Sequence, residues 1–311
     1  MILIQEQVDL YPLTTFRVGG KAKYFVEARS ESDMFEALRW AKERSVSVFV
    51  LGGGSNVLFS DSGWNGLVIK VGIGGVSDEG NGQIRAGAGI VLHAIVECAK
   101  DHGYGGIERL AGIPGTLGGA IRGNAGAFGT EIASAVASVR ALDRNTLDIR
   151  EFPKDTCEFQ YRMSAFKKHP ELIVLSAKLT LVPGKTPTDL EAVIQETIAT
   201  RETKHPQRLS CAGSFFMNPV VSNESLRKEF ELDTGMPAKD EKLPAGWLID
   251  HVGLRGKEVG GARVSDIHPN YLINTGGATA ESILILASLV KQRVRTELGV
   301  RLQEEVQMVG F

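Results

Sequence analysis

A chain of 311 residues, 43% of them hydrophobic, can bury a large core and has the length of about two domains. Its 35 basic and 37 acidic residues leave a formal charge of −2, and lysines and arginines are scattered rather than blocked, which disfavours nucleic acid or another polyanion as partner. No apolar run approaches membrane-spanning length, and the N-terminus lacks the features of a signal peptide, so a cytoplasmic protein without membrane insertion is expected.

In chain order, TTFRVGGKAKYFVEA reads as a strand, a glycine turn at Gly19 and Gly20, and a second strand with Ala22, Tyr24 and Val26 on one face. Ser30 is placed to cap a helix whose apolar stripe is Met34, Phe35, Leu38 and Ala41. Val46 to Leu51 then reads as a buried strand that empties into Gly52, Gly53, Gly54, Ser55 and Asn56. Bare amides and a hydroxyl at the carboxyl end of a strand suit a pyrophosphate. Because Val57 to Phe59 continue as strand rather than helix, the spaced dinucleotide fingerprint is absent. A helix follows with Ile90, Val91, Ala94, Ile95 and Cys98 on its core face, stopped by Gly103.

The densest signal is Gly105 to Glu131, GGIERLAGIPGTLGGAIRGNAGAFGTE, too rich in glycine for an ordinary helix and too apolar for a linker. Here Gly112, Ile113, Pro114, Gly115 and Thr116 form a turn with a hydroxyl, Gly118 and Gly119 keep the backbone bare, and Asn124 adds an amide. Converging N–H groups would make an anion cradle, so a phosphate-bearing ligand with a flat ring is the natural guest. A loop that only packs glycines on a neighbouring strand would look the same, and these residues alone leave both readings open.

Between the second and third of three strand-like runs, CEFQYRMSAFKK holds Tyr161, Arg162, Ser164 and Phe166 in a polar-aromatic knot. Thr188 and Glu191 read as a capping box for a helix with Leu190, Val193, Ile194 and Ile198, which ends near Pro206 at a domain boundary. In RLSCAGSFFMNP, Gly213 and Ser214 place a hydroxyl at a turn against two phenylalanines. Arg255 and Lys257 flank Gly256, an arrangement that suits either a diphosphate or a solvated turn. Thr279 caps a long helix, and the tail LGVRLQEEVQMVG returns to strand character with Glu305 inside it. Cys98, Cys157 and Cys211 are odd in number and far apart, as reduced thiols would be. The six histidines have no ligand spacing, so no metal site is expected.

Taken together, TTFRVGGKA, LGGGSNVL, GIPGTLGGA with NAGAFG, YRMSAF, AGSFFMNP, AGWLID with LRG and GGA, and LQEEVQMVG resemble the UDP-N-acetylenolpyruvoylglucosamine reductase family from Thr15 to Gly310. The resemblance implies an α+β fold: a two-part FAD-binding region similar to the vanillyl-alcohol oxidase class, plus an α+β substrate-binding domain. It assigns 1–72 with 299–311 and then 73–203 to FAD, and 204–298 to substrate. It further implies that NADPH reduces the enolpyruvyl ether of UDP-N-acetylglucosamine to UDP-N-acetylmuramate for peptidoglycan synthesis. FAD would be non-covalent, since neither glycine block contains a histidine or cysteine.

Carried over by position, Gly52 to Asn56, Gly112 to Thr116, Gly118, Gly119 and Asn124 would line FAD. Arg162, Ser214 and Glu305 would be catalytic, and Tyr161, Asn218 and Arg255 would meet the substrate. Met217 stands where many members have lysine, and the chain is too short between Arg162 and Ser214 for the tyrosine-bearing insertion of one branch. The protein is expected to be a monomer or a weak oligomer. The rival readings are a flavin oxidase acting on an alcohol or hydroxy acid and a non-catalytic UDP-sugar binder, and the second of these would need no second glycine block.

Overall fold

The computed structural model describes residues 2–205 and 209–311; the boundary expected at Pro206 lies outside them. Two compact units account for the chain. The first takes the chain up to Val8, then Ala22–Gly53 and Asn65–Arg201; the second takes Asp9–Lys21, Gly54–Trp64 and the chain from Glu202 on. These are packing units, whereas the division expected above assigns ligands.

In the first unit, one sheet has the order Gln5–Asp9, Lys21–Ala28, Trp64–Val71, Val48–Leu51. A second sheet, antiparallel throughout, runs Ile149–Pro153, Val136–Asp143, Leu172–Thr180, Gln83–Gly87, Val76–Gly80. The helix Glu31–Glu43 begins in a full capping box, with the Ser30 hydroxyl accepting from the Asp33 amide and the Asp33 carboxylate accepting from the Ser30 amide. Its Met34 and Leu38 join Ile69, Ile84, Leu92, Ile121 and Leu175 in one apolar core.

Three local expectations are corrected. The helix expected from Ile90 starts at Leu92, with Leu92, Ile95, Val96 and Ala99 buried and Val91 exposed, a shift of its apolar face by about one position. The helix Pro187–Lys204 is bonded at its start by Thr186 rather than Thr188, since the Thr186 hydroxyl accepts from the Asp189 amide at 3.1 Å. Leu117–Gly123 is helical despite its glycines, because Leu117, Ala120 and Ile121 are buried, and their packing outweighs a glycine penalty of about 1 kcal/mol each.

In the second unit, Phe16, Val18 and Leu58 lie in the same apolar cluster as Phe215, Phe216, Leu248, Ile283, Leu286 and Leu302. That shared burial is why segments from the early chain belong with the late one. A sheet of order Ser210–Cys211, Leu272–Asn274, Ala262–Val264, Glu258–Val259 accompanies the helix Ala280–Leu298. Strand Gln307–Val309 pairs in parallel with Val57–Phe59. The expected tail strand is therefore shorter than its sequence suggests, and Glu305 precedes it.

The long helix is fixed at its N-terminus from a distant loop. Thr279 and Ser282 form a capping box, and the Asp61 carboxylate accepts from the Ala280 and Glu281 amides at 2.8 and 3.0 Å. Asp61→Ala removes an anion and two acceptors from that end, so it should lower the unfolding free energy by about 1–2 kcal/mol in urea titration. A midpoint equal to that of the parent would show that solvent replaces these bonds without loss.

Candidate functional site

The two glycine blocks meet within the first unit. A Cβ on Gly53 would lie 2.7 Å from Gly115 Cα, and one on Gly52 would lie 3.0 Å from Thr116 Oγ1. Only glycine allows two backbones this close. The Thr116 hydroxyl is buried beside them and has no hydrogen-bond partner among the described residues. Such an orphan costs about 1–3 kcal/mol, a cost that a bound acceptor removes. Gly119 belongs to the same group, 3.9 Å from that hydroxyl at its would-be Cβ. Gly118 instead packs on Ala88, and Gly112, at φ 72°, lies beside the Arg201 side chain. Ile113 and Pro114 connect Gly112 to the cradle.

The rest of the first block serves the second unit. Gly54 O accepts from the Thr15 amide at 3.0 Å, and a side chain there would collide with the Leu13 carbonyl. Past Ser55, Asn56 Nδ2 donates to Glu305 O at 3.2 Å, and Asn56 O accepts from the Gln307 backbone amide at 3.2 Å. Asn56 therefore secures the tail.

Asn124 is fully buried, at φ 42°, and its side chain is spent inside the protein. Its Nδ2 donates to Glu131 Oε2 at 2.8 Å and to Gln160 O at 2.9 Å, while its Oδ1 accepts from the Ala133 amide at 3.3 Å. The residue read as a cofactor contact thus organises the loop around it. The Arg162 guanidinium takes its place on that loop, donating to Gly126 O at 3.0 Å and to Asn124 O at 3.5 Å. Carbonyls orient a guanidinium without cancelling its charge. Arg162 itself sits at φ 55°, a left-handed conformation that costs an arginine about 1–3 kcal/mol. Its charge lies 5.4 Å from the centre of the Tyr161 ring. A tight hairpin completes the surroundings: Gly126–Ala127 pairs with Thr130–Glu131 across Phe128 and Gly129, both at positive φ.

In the second unit, backbone pairing brings Ser214 and Glu305 to neighbouring stations. The Glu305 amide donates to Phe215 O at 2.8 Å, and the Met217 amide donates to Gln303 O at 2.9 Å. Among the described residues none hydrogen-bonds the Ser214 hydroxyl, which leaves it available. The segment that follows it is clamped by Asn270, 2% exposed, which accepts from the Phe216 amide at 3.0 Å and donates to Phe216 O at 2.8 Å. Sequence reading missed Asn270 and Glu131; an asparagine directly before the strand-like run Tyr271 to Ile273 was the available signal for the first. Asn218 accepts from the Ala245 amide at 3.0 Å. Arg255 is held by both carboxylate oxygens of Asp250, at 2.9 and 2.5 Å, and also donates to Asp266 O. Asp250 raises its pKa above the ordinary arginine value.

Thiolate chemistry is disfavoured, since burial raises the pKa of Cys98 and Cys211 and pushes that of Cys157 up to about 11. No group of three metal-ligating side chains stands together among the described residues. No helix among them is long and apolar enough to cross a membrane.

Comparison with known proteins places names beside this geometry. Residues 22–146 match an FAD binding domain, and residues 205–309 match the C-terminal domain of UDP-N-acetylenolpyruvoylglucosamine reductase. A UDP-N-acetylenolpyruvoylglucosamine reductase of Solibacter usitatus is 38% identical over 99% of this chain and 97% of its own. One of Pelobacter propionicus is 40% identical over 96% and 92%. The crystal structure of UDP-N-acetylenolpyruvylglucosamine reductase from Thermus caldophilus superposes with a TM-score of 0.78 at 28% identity, covering all of both chains. The expected α+β fold with an FAD-binding region is borne out by these matches. The cradle also fits the cofactor: a buried hydroxyl without a partner, beside backbone that a Cβ would obstruct, suits a phosphate.

Asn124→Ala strands two acceptors and one donor in a buried site, so it should cost about 2–4 kcal/mol in urea unfolding. Asn124→Asp makes a sharper test. A carboxylate facing Glu131 raises the folded-state pKa of the pair above the unfolded value of about 4. The stability of this variant should therefore be kept below that pH and lost as pH rises through the raised value. A loss independent of pH would remove Glu131 from the arrangement.

Proposed function

The chain belongs to the UDP-N-acetylenolpyruvoylglucosamine reductase family, and we propose that it uses NADPH to reduce the enolpyruvyl ether of UDP-N-acetylglucosamine to UDP-N-acetylmuramate in the cytoplasm. The observation that carries this reading is the presence in one chain of an FAD-binding domain at 22–146 and the reductase C-terminal domain at 205–309. FAD binds non-covalently to 1–72 with 299–311 and to 73–203, and the UDP-sugar binds to 204–298. On this reading the chain is of the branch that lacks the tyrosine-bearing insertion, and it works as a monomer or weak oligomer.

When bound, FAD supplies the electron pair for the reduction. The protein handles charge and the proton. Adding hydride to the methylene carbon of an enol ether conjugated to a carboxylate drives negative charge onto the α-carbon and the carboxylate. Arg162, already oriented by two carbonyls, binds that carboxylate and offsets the growing charge. By analogy with an oxyanion donor, such a contact contributes about 2.7–4 kcal/mol. Ser214 delivers the proton to the α-carbon. A hydroxyl is a feeble acid, but the carbanion-like centre is a strong base, so position governs the transfer more than acidity. Glu305 orients the charged groups or is itself protonated, since an ionised carboxylate would repel a developing dianion. Tyr161, Asn218 and Arg255 hold the substrate, and for Arg255 the diphosphate must compete with Asp250.

Reduction of the flavin needs no proton on a substrate carbon, whereas reduction of the enol ether needs one. Ser214→Ala should therefore bleach with NADPH near the parent rate in anaerobic stopped flow, then reoxidise with substrate about 10²- to 10⁴-fold more slowly. Equal slowing of both halves would assign Ser214 to flavin positioning. Glu305→Gln in the same assay separates orientation, which an amide preserves, from proton donation, which it abolishes. NADH in place of NADPH tests the donor.

Arg255→Ala should raise the substrate KM at least tenfold with kcat and flavin content kept. Asp250→Asn, which frees the guanidinium, should lower KM. If KM is unchanged in both, Arg255 serves only its pair with Asp250.

A further inference from the structure

The helix Leu117–Gly123 has two faces of opposite character. Leu117, Ala120 and Ile121 are buried. At 100° per residue, Gly119, Arg122 and Gly123 stand on the other side, bordered by Thr116. A Cβ on Gly123 would meet nothing within 4 Å, and one on Gly119 would meet only Thr116 Oγ1 at 3.9 Å. This face looks onto open space beside the orphaned hydroxyl and Gly52.

Arg122 stands on that face without a counter-charge. Burial pulls its pKa below the ordinary arginine value, and no carboxylate offsets the pull. Among the described residues, no hydrogen bond or ion pair engages its guanidinium. Arg140 and Arg150 of the same unit are paired, with Glu31 and Asp143 respectively. A half-buried guanidinium without a counter-charge is costly, and a site tolerates one where an anion is to be bound. A long helical side chain leans over the residues three and four positions before it, here Gly119 and Gly118. Gly118 is packed on Ala88, so the open direction is over Gly119, toward Thr116.

We infer that Arg122 is a further cofactor-binding residue, whose guanidinium pairs with the diphosphate of FAD at the cradle of Gly52, Thr116 and Gly119. The backbone supplies dipoles there and Arg122 supplies the full charge. The inference rests on the FAD-binding domain and not on the identity of the reduced substrate.

The test uses the full-length chain stripped of flavin, titrated with FAD, riboflavin and UDP. Arg122→Gln should weaken FAD about 10- to 100-fold, the loss of one charge-assisted bond, while riboflavin and UDP affinities stay within about twofold. Salt dependence of FAD binding should flatten, and Arg122→Lys should recover most of the affinity. The stripped Gln variant should melt at or above the parent, because a half-buried charge without a counter-charge has gone, and the order should reverse once FAD is added. A purely structural arginine predicts the opposite for the stripped protein. The inference is overturned by unchanged FAD affinity, by parallel loss of FAD and riboflavin, by loss of UDP instead, or by failure of Arg122→Gln to fold.

Discussion

The closeness of two backbones, Gly52–Gly53 against Gly115–Thr116, is what the N-terminal unit is arranged around. A methyl group at Gly53 would force Gly115 away from a 2.7 Å approach that carbon atoms do not make. One backbone is delivered by the strand Val48–Leu51, in parallel register with Leu67–Lys70, and the other by the turn before the helix Leu117–Gly123. Once those two are pinned, the helix direction is set, and with it the stations of Thr116, Arg122 and Asn124. Asn124 then fixes the carbonyls on which Arg162 rests. Cofactor cradle and charge-bearing arginine are therefore consequences of one steric allowance.

How much of this could be read from the sequence depended on range. Ser30 and Thr279 were legible as caps because a cap is a local arrangement of four residues, and both are bonded as expected. The helix Leu117–Gly123 was not legible, because its glycines argue against helix locally while its three buried apolar residues draw their stabilisation from distant partners. Thr188 lost its capping role to Thr186 by two positions, an error that periodicity cannot resolve when both are threonines. The glycine blocks were recognisable as two cradles, but nothing in the sequence showed that the first is split, with Gly52 and Gly53 in one unit and Gly54 to Asn56 in the other.

Polar residues carried the largest ambiguity. Asn124, Asn56 and Arg255 each have the chemistry of a ligand contact, yet each is engaged within the protein, with Glu131, with Glu305 and with Asp250 respectively. The amide or guanidinium that binds a phosphate is the same group that satisfies a buried carbonyl or a neighbouring acid, and only geometry separates the two uses. Asn270 is the converse. It escaped notice, although it fixes the segment after Ser214 by bonding both the amide and the carbonyl of Phe216.

The pairing of Gln307–Val309 with Val57–Phe59 also bears on how the protein comes into being. Asn56 and Glu305, joined beside that pairing, are 249 positions apart in the chain. On a ribosome the early segment waits, with Phe16 and Leu58 lacking their apolar surroundings, while the long first unit is made and can collapse by itself. Only when the late strand emerges does the second unit gain its last ladder and the station of Glu305. The acid is thus installed at the end of a slow, long-range closure, and nascent chains pass through an interval in which one unit is formed and the other still exposes apolar residues to chaperones or to neighbouring chains.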